Sequence, residues 1–94
     1  MKEFKGTPGP WFRDNSRAIG PKSTENDQSY GMIIPVGWVE FDHEVEVQVA
    51  NQRMMAAAPE LLEALQIICF FEDISSAQRE IAEAAIAKAL GESQ

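Results

Sequence analysis

The chain is poor in the residue types on which chemistry is usually built. Of its 94 residues one is a cysteine and one a histidine. Cys69 alone can form no disulfide within the chain, which is compatible with a reducing compartment. His43 is the only imidazole, so Cys/His zinc sites of ordinary ligand number are excluded and no metal is expected. Gly6, Gly9, Gly20, Gly31 and Gly37 are scattered through turn-like contexts, with neither a GxGxxG nor a Walker-type phosphate loop among them, and no cofactor is expected. The apolar run from Ile67 to Phe71 is far short of a membrane span, and Met1 to Lys5 lacks the apolar core of a signal peptide. The expectation is a cytoplasmic protein without membrane association.

Positive charge is also scarce, and its scarcity is uneven. Residues 1–41 balance Lys2, Lys5, Arg13, Arg17 and Lys22 against Glu3, Asp14, Glu25, Asp27 and Glu40. The remainder sets ten acids against Arg53, Arg79 and Lys88, and so carries the whole net charge of -7. Phosphate neutralisation needs a basic surface, so direct nucleic-acid binding is not expected. The carboxylates read first as solvated faces of amphipathic helices, and beyond that as a surface that could attract a basic partner.

What is present is mostly helix in the second half. Pro59 fixes φ and has no N–H, which suits the first turn of a helix, so a helix is expected to start near it. Leu61, Leu62, Leu65, Ile68 and Cys69 then recur at spacings of three and four and share one apolar face. Upstream, a helix is expected from about Glu46 to Ala57, with Val45, Val49, Arg53 and Ala56 on one face. The alternation of Val45, Val47 and Val49 with polar residues would also suit a short strand. A third helix has Ser75 and Gln78 placed for a capping box, a stripe of Ile81, Ala82, Ala85, Ile86, Ala89 and Leu90, and Gly91 as its C-terminal cap. So many alanines and apolar residues on three short helices predict a homo-oligomer.

The first half reads as strands and turns. Thr7-Pro8-Gly9-Pro10 forbids helix, Trp11-Phe12-Arg13 starts a strand, Asn15-Ser16 turns, and Arg17 to Gly20 returns. Pro21 to Ser29 holds no apolar residue and is expected to be a surface loop. Tyr30 to Val36 regains strand character, with Pro35 placing it at an edge or ending it there, and Val36 to Phe41 could follow as a further strand carrying Val36, Trp38 and Glu40 on one side. The fold class is therefore α+β: one domain over 1–94, in which a small antiparallel sheet from 1–41 packs against about three helices from 42–94.

No catalytic residues are nominated. Asp42, His43 and Glu44 are adjacent, but neighbours point apart and no nucleophile stands in a defined relation to His43. Asp42 is better read as a helix cap and His43 as solvated. Cys69 reads as a small buried hydrophobe with no basic residue near it in sequence. Candidates for partner or ligand binding are Trp11, Arg13, Trp38 and His43. Trp11 and Arg13 share a strand face and could grip an anion or a carboxylate, while each tryptophan is expected to serve mainly as a core plug.

Thr7-Pro8-Gly9-Pro10-Trp11, followed by Ala50-Asn51-Gln52-Arg53-Met54-Met55-Ala56-Ala57-Ala58-Pro59-Glu60-Leu61-Leu62-Glu63-Ala64-Leu65, resembles a group of small proteins encoded by tailed bacteriophages and prophages. Their TPGPW-like opening is followed by strands and a segment close to ANARLIAAAPELLEAL. This chain departs at Gln52, Met54 and Met55, where alanine, leucine and isoleucine are usual, and we read these as changes of packing. The resemblance implies a phage origin and action in the host cytoplasm, and it supplies no catalytic residues. The leading reading it supports is a non-enzymatic accessory protein that binds a host protein, such as an immune complex, as a counter-defence factor. A second is an oligomer that sequesters a small anionic ligand such as a signalling nucleotide, and a third is a small hydrolase.

Overall fold

A computed structural model describes residues 3–24 and 31–91. Tyr30, residues 25–29 of the expected polar loop and the last three residues lie outside the described residues. An antiparallel three-stranded sheet occupies the N-terminal half and three helices the C-terminal half, which is the α+β arrangement expected. The chain divides into two compact units. One is Thr7–Pro59, and the other joins residues 3–6 to 60–91, so the boundary falls in the first turn of a helix.

Within Thr7–Pro59, β1 (Phe12–Arg13), β2 (Ala18–Gly20) and β3 (Gly37–Trp38) lie in the order β1-β2-β3. Phe12 faces Gly20 and Arg13 faces Ile19 across the first pair; Ala18 faces Trp38 and Ile19 faces Gly37 across the second. The turn between β1 and β2 closes through Asp14, whose Oδ1 accepts hydrogen bonds from the Ser16 N–H at 2.8 Å and from the Ser16 hydroxyl. That is the local side-chain turn which makes aspartate favourable here. These bonds, more than the Arg13 charge, hold the Asp14 carboxyl below its ordinary value of 3.8.

Of the strand expected from Tyr30 to Val36, at an edge or ending at Pro35, the described part from Gly31 onward is broken into pieces. Ile33 bridges Lys22, the Ile34 N–H donates to the Pro21 carbonyl, and the Val36 N–H donates to the Ile19 carbonyl. Pro35 has no donor and interrupts the ladder at its outer strand, where a proline does least harm. The backbone of this segment runs so close to β2 that a Cβ on Gly20 would collide with the Ile34 carbonyl oxygen. Only glycine fits there.

Helix α1 (Val45–Ala56) packs on β1 and β2. It is helical from Val45, because the good helix formers that follow outweigh the local valine alternation. The face expected to carry Val45, Val49, Arg53 and Ala56 turns inward only in part. Val45 and Val47 are exposed, whereas Gln52 and Ala56 are buried and Gln48 and Val49 half-buried. Asp42 also differs from expectation. The N-cap is Glu44, without a side-chain cap; Asp42 lies two residues earlier, where its carboxylate accepts from the Glu44 N–H at 2.8 Å. The core of the unit is Ile19, Val39 and Ala56, with Trp11 packed against it.

α2 (Ala58–Phe71) carries Pro59 in its first turn. A Cβ on Gly9 would lie 2.7 Å from the Cβ of Pro59, so the proline-rich opening and the Ala-Ala-Ala-Pro-Glu segment meet directly. In the second unit α2 and α3 (Ser76–Leu90) share a core of Cys69, Ala82, Ile86 and Leu90, flanked by Leu62 and Leu65. The Ser75–Gln78 capping box and the left-handed Gly91 cap, with φ of 77°, stand as the sequence predicts. Arg79 reaches back from α3 to donate to the carbonyl of Cys69 in the last turn of α2 and to that of Glu72 just beyond it, putting a cation at the C-terminal end of the helix.

Candidate protein-binding surface at the sheet edge

The four candidate residues do not form one site. β1 and β3 flank β2 on opposite sides, so Trp11 and Arg13 stand by one edge of the sheet and Trp38 lies on the other.

At the first edge the polar groups are used inside the fold. Trp11 is half-buried against Ile19, Val39 and Ala56, and its indole N–H donates to the Thr7 carbonyl at 3.2 Å, closing the proline-rich turn on itself. The core role expected of this tryptophan is what the structure shows. Arg13 donates from Nε to the Gln52 side-chain oxygen at 2.9 Å and from Nη2 to the Asp14 carbonyl at 3.1 Å. Its guanidinium is thereby turned toward α1 and the hairpin.

The residue that organises this edge was not among the candidates. Gln52 is 1% exposed. Its amide nitrogen donates to the Ser16 carbonyl at 2.8 Å and the Ala18 carbonyl at 3.0 Å, with a longer approach to the Asp14 carbonyl at 3.4 Å. Gln52 was expected to matter for packing, and the structure adds these hydrogen bonds to that role. The available signal was a glutamine four residues from Gln48 and from Ala56, a spacing that puts all three on one helix face.

The second edge is built differently. Trp38 is 63% exposed, which corrects its expected role as a core plug. The cause is the pleat: Val39 takes the inward position, 3% exposed, and Trp38 beside it must point away. The Val36 N–H donates to the Ile19 carbonyl and the Val39 N–H to the Arg17 carbonyl, so three residue steps on this strand match two on β2. One extra residue bends an outer strand and re-aims its side chains. Ile34, Val36, Phe41 and Val45, which lead into and out of this bend, are exposed as well. His43 is solvated as expected, its ring beside the Asp42 carboxylate at 3.8 Å.

Little else here could carry chemistry. Among the described residues no group of three or more His, Cys, Asp or Glu side chains could hold a metal ion. No buried side-chain nitrogen or oxygen among them lacks a partner, so none is left aimed at a ligand. Cys69 is buried as expected, though the fold brings to it the basic group that the local sequence lacks: Arg79 Nη1 lies 3.8 Å from the thiol sulfur. No single helix among the described residues is long and apolar enough to cross a membrane.

A family model described as Salmonella phage P22 protein Y8K6 matches residues 1–93. The chain belongs to that family. No curated protein and no solved structure matches it.

Proposed function

We propose that this phage-family protein is a non-catalytic accessory factor that binds a host protein, in a counter-defence role, through the outer edge of its sheet. The observation that carries the reading is the placement of Trp38: a large aromatic, mostly exposed, on an outer strand with Phe41 exposed nearby. Exposed aromatics of this kind supply most of the energy of protein contacts, and an outer strand adds unpaired backbone groups to which a partner's strand can bond. Net charge of -7 favours a partner with a basic surface and a faster encounter at low salt. Sequestration of an anionic ligand ranks second, because the Arg13 groups that would grip it are bonded to Gln52 and Asp14.

The test is affinity capture from infected host cells with the wild-type chain and with a Trp38→Ala, Phe41→Ala double variant. The wild type should retain a defined host protein, and the double variant should lose it while its circular dichroism stays the same. Retention of the same protein by both would overturn this surface. Heat of binding between the pure protein and cyclic nucleotides would favour sequestration instead.

A further inference from the structure

We infer that the helical unit carries a self-association face, formed by the stripe that Leu61, Leu65 and Ile68 make on α2 and that Ile74, Gln78 and Ile81 make along and just before α3, and that its occupant is a second copy of the same chain. This is a different surface, in a different unit, from the sheet edge above.

The first argument is how little of α2 its own helical unit covers. Between Ala58 and Phe71 its only polar side chains are Glu60, Glu63 and Gln66, and its only buried residue is Cys69. A helix that is apolar nearly all round is normally enclosed on most sides. Here Leu61, Ile68 and Phe71 are 49%, 44% and 80% exposed, and Ile81 on α3 is 73% exposed.

These side chains are contiguous. Leu65, Ile68, Ile74, Gln78, Ile81 and Ala82 line one open groove. Leu61 stands one turn before Leu65 on the same stripe, and Phe71 three residues after Ile68. Leu61, Ile68, Phe71 and Ile81 together expose the equivalent of about two and a half large apolar side chains, on the order of 500 Å². With the half-buried Leu65 and Ile74 and the exposed Ala85 around them, the patch approaches the roughly 800 Å² per partner that a specific interface needs. It already matches the largest apolar patches left open on monomers.

Charge selects the occupant. Glu60 and Glu63 on α2, and Glu80 and Glu83 on α3, fall on other helical faces, so the middle of the stripe holds no charge and only Gln78 is polar. A highly acidic partner copy could not be tolerated across a face strewn with carboxylates, but it can be across this one. Lys88, seven residues on from Ile81, marks the far end of the stripe, and Glu72 and Asp73 sit in the connection between the helices at its near end. An antiparallel two-fold pairing sets Lys88 of each copy toward those acids of the other. Two helical hairpins joined by such an axis make a four-helix arrangement with a self-complementary, isologous interface.

Sedimentation of the full chain at micromolar concentration, with Ile68→Glu and Ile81→Glu variants, tests this. Both side chains are exposed in the single chain, so neither substitution should unfold it, and circular dichroism checks that. The wild type should sediment at twice the chain mass, each variant should fall to monomer or dissociate at least 100-fold more readily, and Trp38→Ala should remain dimeric. A monomeric wild type would overturn the inference, whether or not it then binds lipid vesicles. So would a dimer that survives both glutamate variants but is broken by Trp38→Ala, because self-association would then belong to the sheet edge. Loss of host-protein capture with an intact dimer bears only on the proposed function.

Discussion

Arg13 on β1 and Gln52 on α1, distant in sequence, meet through a 2.9 Å hydrogen bond from the guanidinium Nε to the amide oxygen. The orientation of the Gln52 amide follows from its partners: the oxygen faces a donor and the nitrogen faces two carbonyls, and the opposite orientation would set like against like. One side chain thus ties the helix to both arms of the β1–β2 hairpin. Gln52→Leu separates this role from simple filling of space. Leucine occupies the same pocket but leaves the Ala18 carbonyl and the Arg13 Nε–H without their partner, so it should destabilise by about 2–3 kcal/mol, nearly as much as Gln52→Ala. Urea unfolding followed by circular dichroism measures both. A Gln52→Leu variant as stable as the wild type would show that packing alone matters at this position.

Gly20→Ala tests the closeness of the outer segment to the central strand. The added Cβ meets the Ile34 carbonyl oxygen, a backbone atom that cannot rotate aside, so β2 and the segment after Gly31 must separate. We expect a loss of about 1–3 kcal/mol, the usual penalty for overfilling a packed site. Amide hydrogen exchange should show the Ile34 and Val36 N–H groups losing protection first, while α3 is unchanged.

The helices were legible in the sequence because their signals are local. Ser75, Gln78, Gly91 and Pro59 act within one turn of where they stand, and each is found in the role its chemistry predicts. The small sheet was legible as strands and turns for the same reason, although the turn expected at Asn15-Ser16 closes through the Asp14 carboxylate. What escaped were long-range choices. The inward face of α1 is set by Gln48 and Gln52, which hydrogen-bond to Asp42 and to the hairpin, and no periodicity of apolar residues announces a glutamine stripe. Trp38 reads as a core residue by size, yet its exposure follows from Val39 taking the inward place, and that depends on register with β2.

Ser75→Ala should remove the α3 cap and little else. The Gln78 N–H loses its acceptor at 3.1 Å, and the reciprocal bond from the Ser75 N–H to the Gln78 side chain has less to hold it. The expected change is about 1 kcal/mol, read as a shift of the thermal midpoint. Ser75→Asp should restore most of it, because a carboxylate accepts the same bond and favours the helix N-terminus.

The two tryptophans should separate spectroscopically. Trp38 is mostly exposed, whereas Trp11 packs against the core of its unit. In the wild type a fraction of the emission should be red-shifted and readily quenched by iodide. Trp38→Phe should leave a bluer, less quenchable emission from Trp11, and Trp11→Phe the reverse. If the bluer component disappears with Trp38→Phe, the assignment of the two environments is inverted.

Asp14 gives the hairpin a defined dependence on pH. Its carboxyl is held below 3.8 first by the Ser16 hydroxyl, then by the Ser16 N–H, with Arg13 adding a smaller pull. A carboxylate with a depressed folded value contributes stability that is present above 3.8 and is lost as the pH falls through the lower folded value. Asp14→Asn cannot titrate and keeps only a neutral acceptor for Ser16. The stability difference between wild type and variant should therefore be constant from neutrality down to about pH 5 and shrink steadily as the pH falls below the ordinary carboxylate value. Parallel urea titrations at several pH values from neutrality to strong acid would show it. A difference that grew toward acid would have the wrong sign for a carboxylate stabilised in its charged form, and would place the Asp14 contribution in the protonated state.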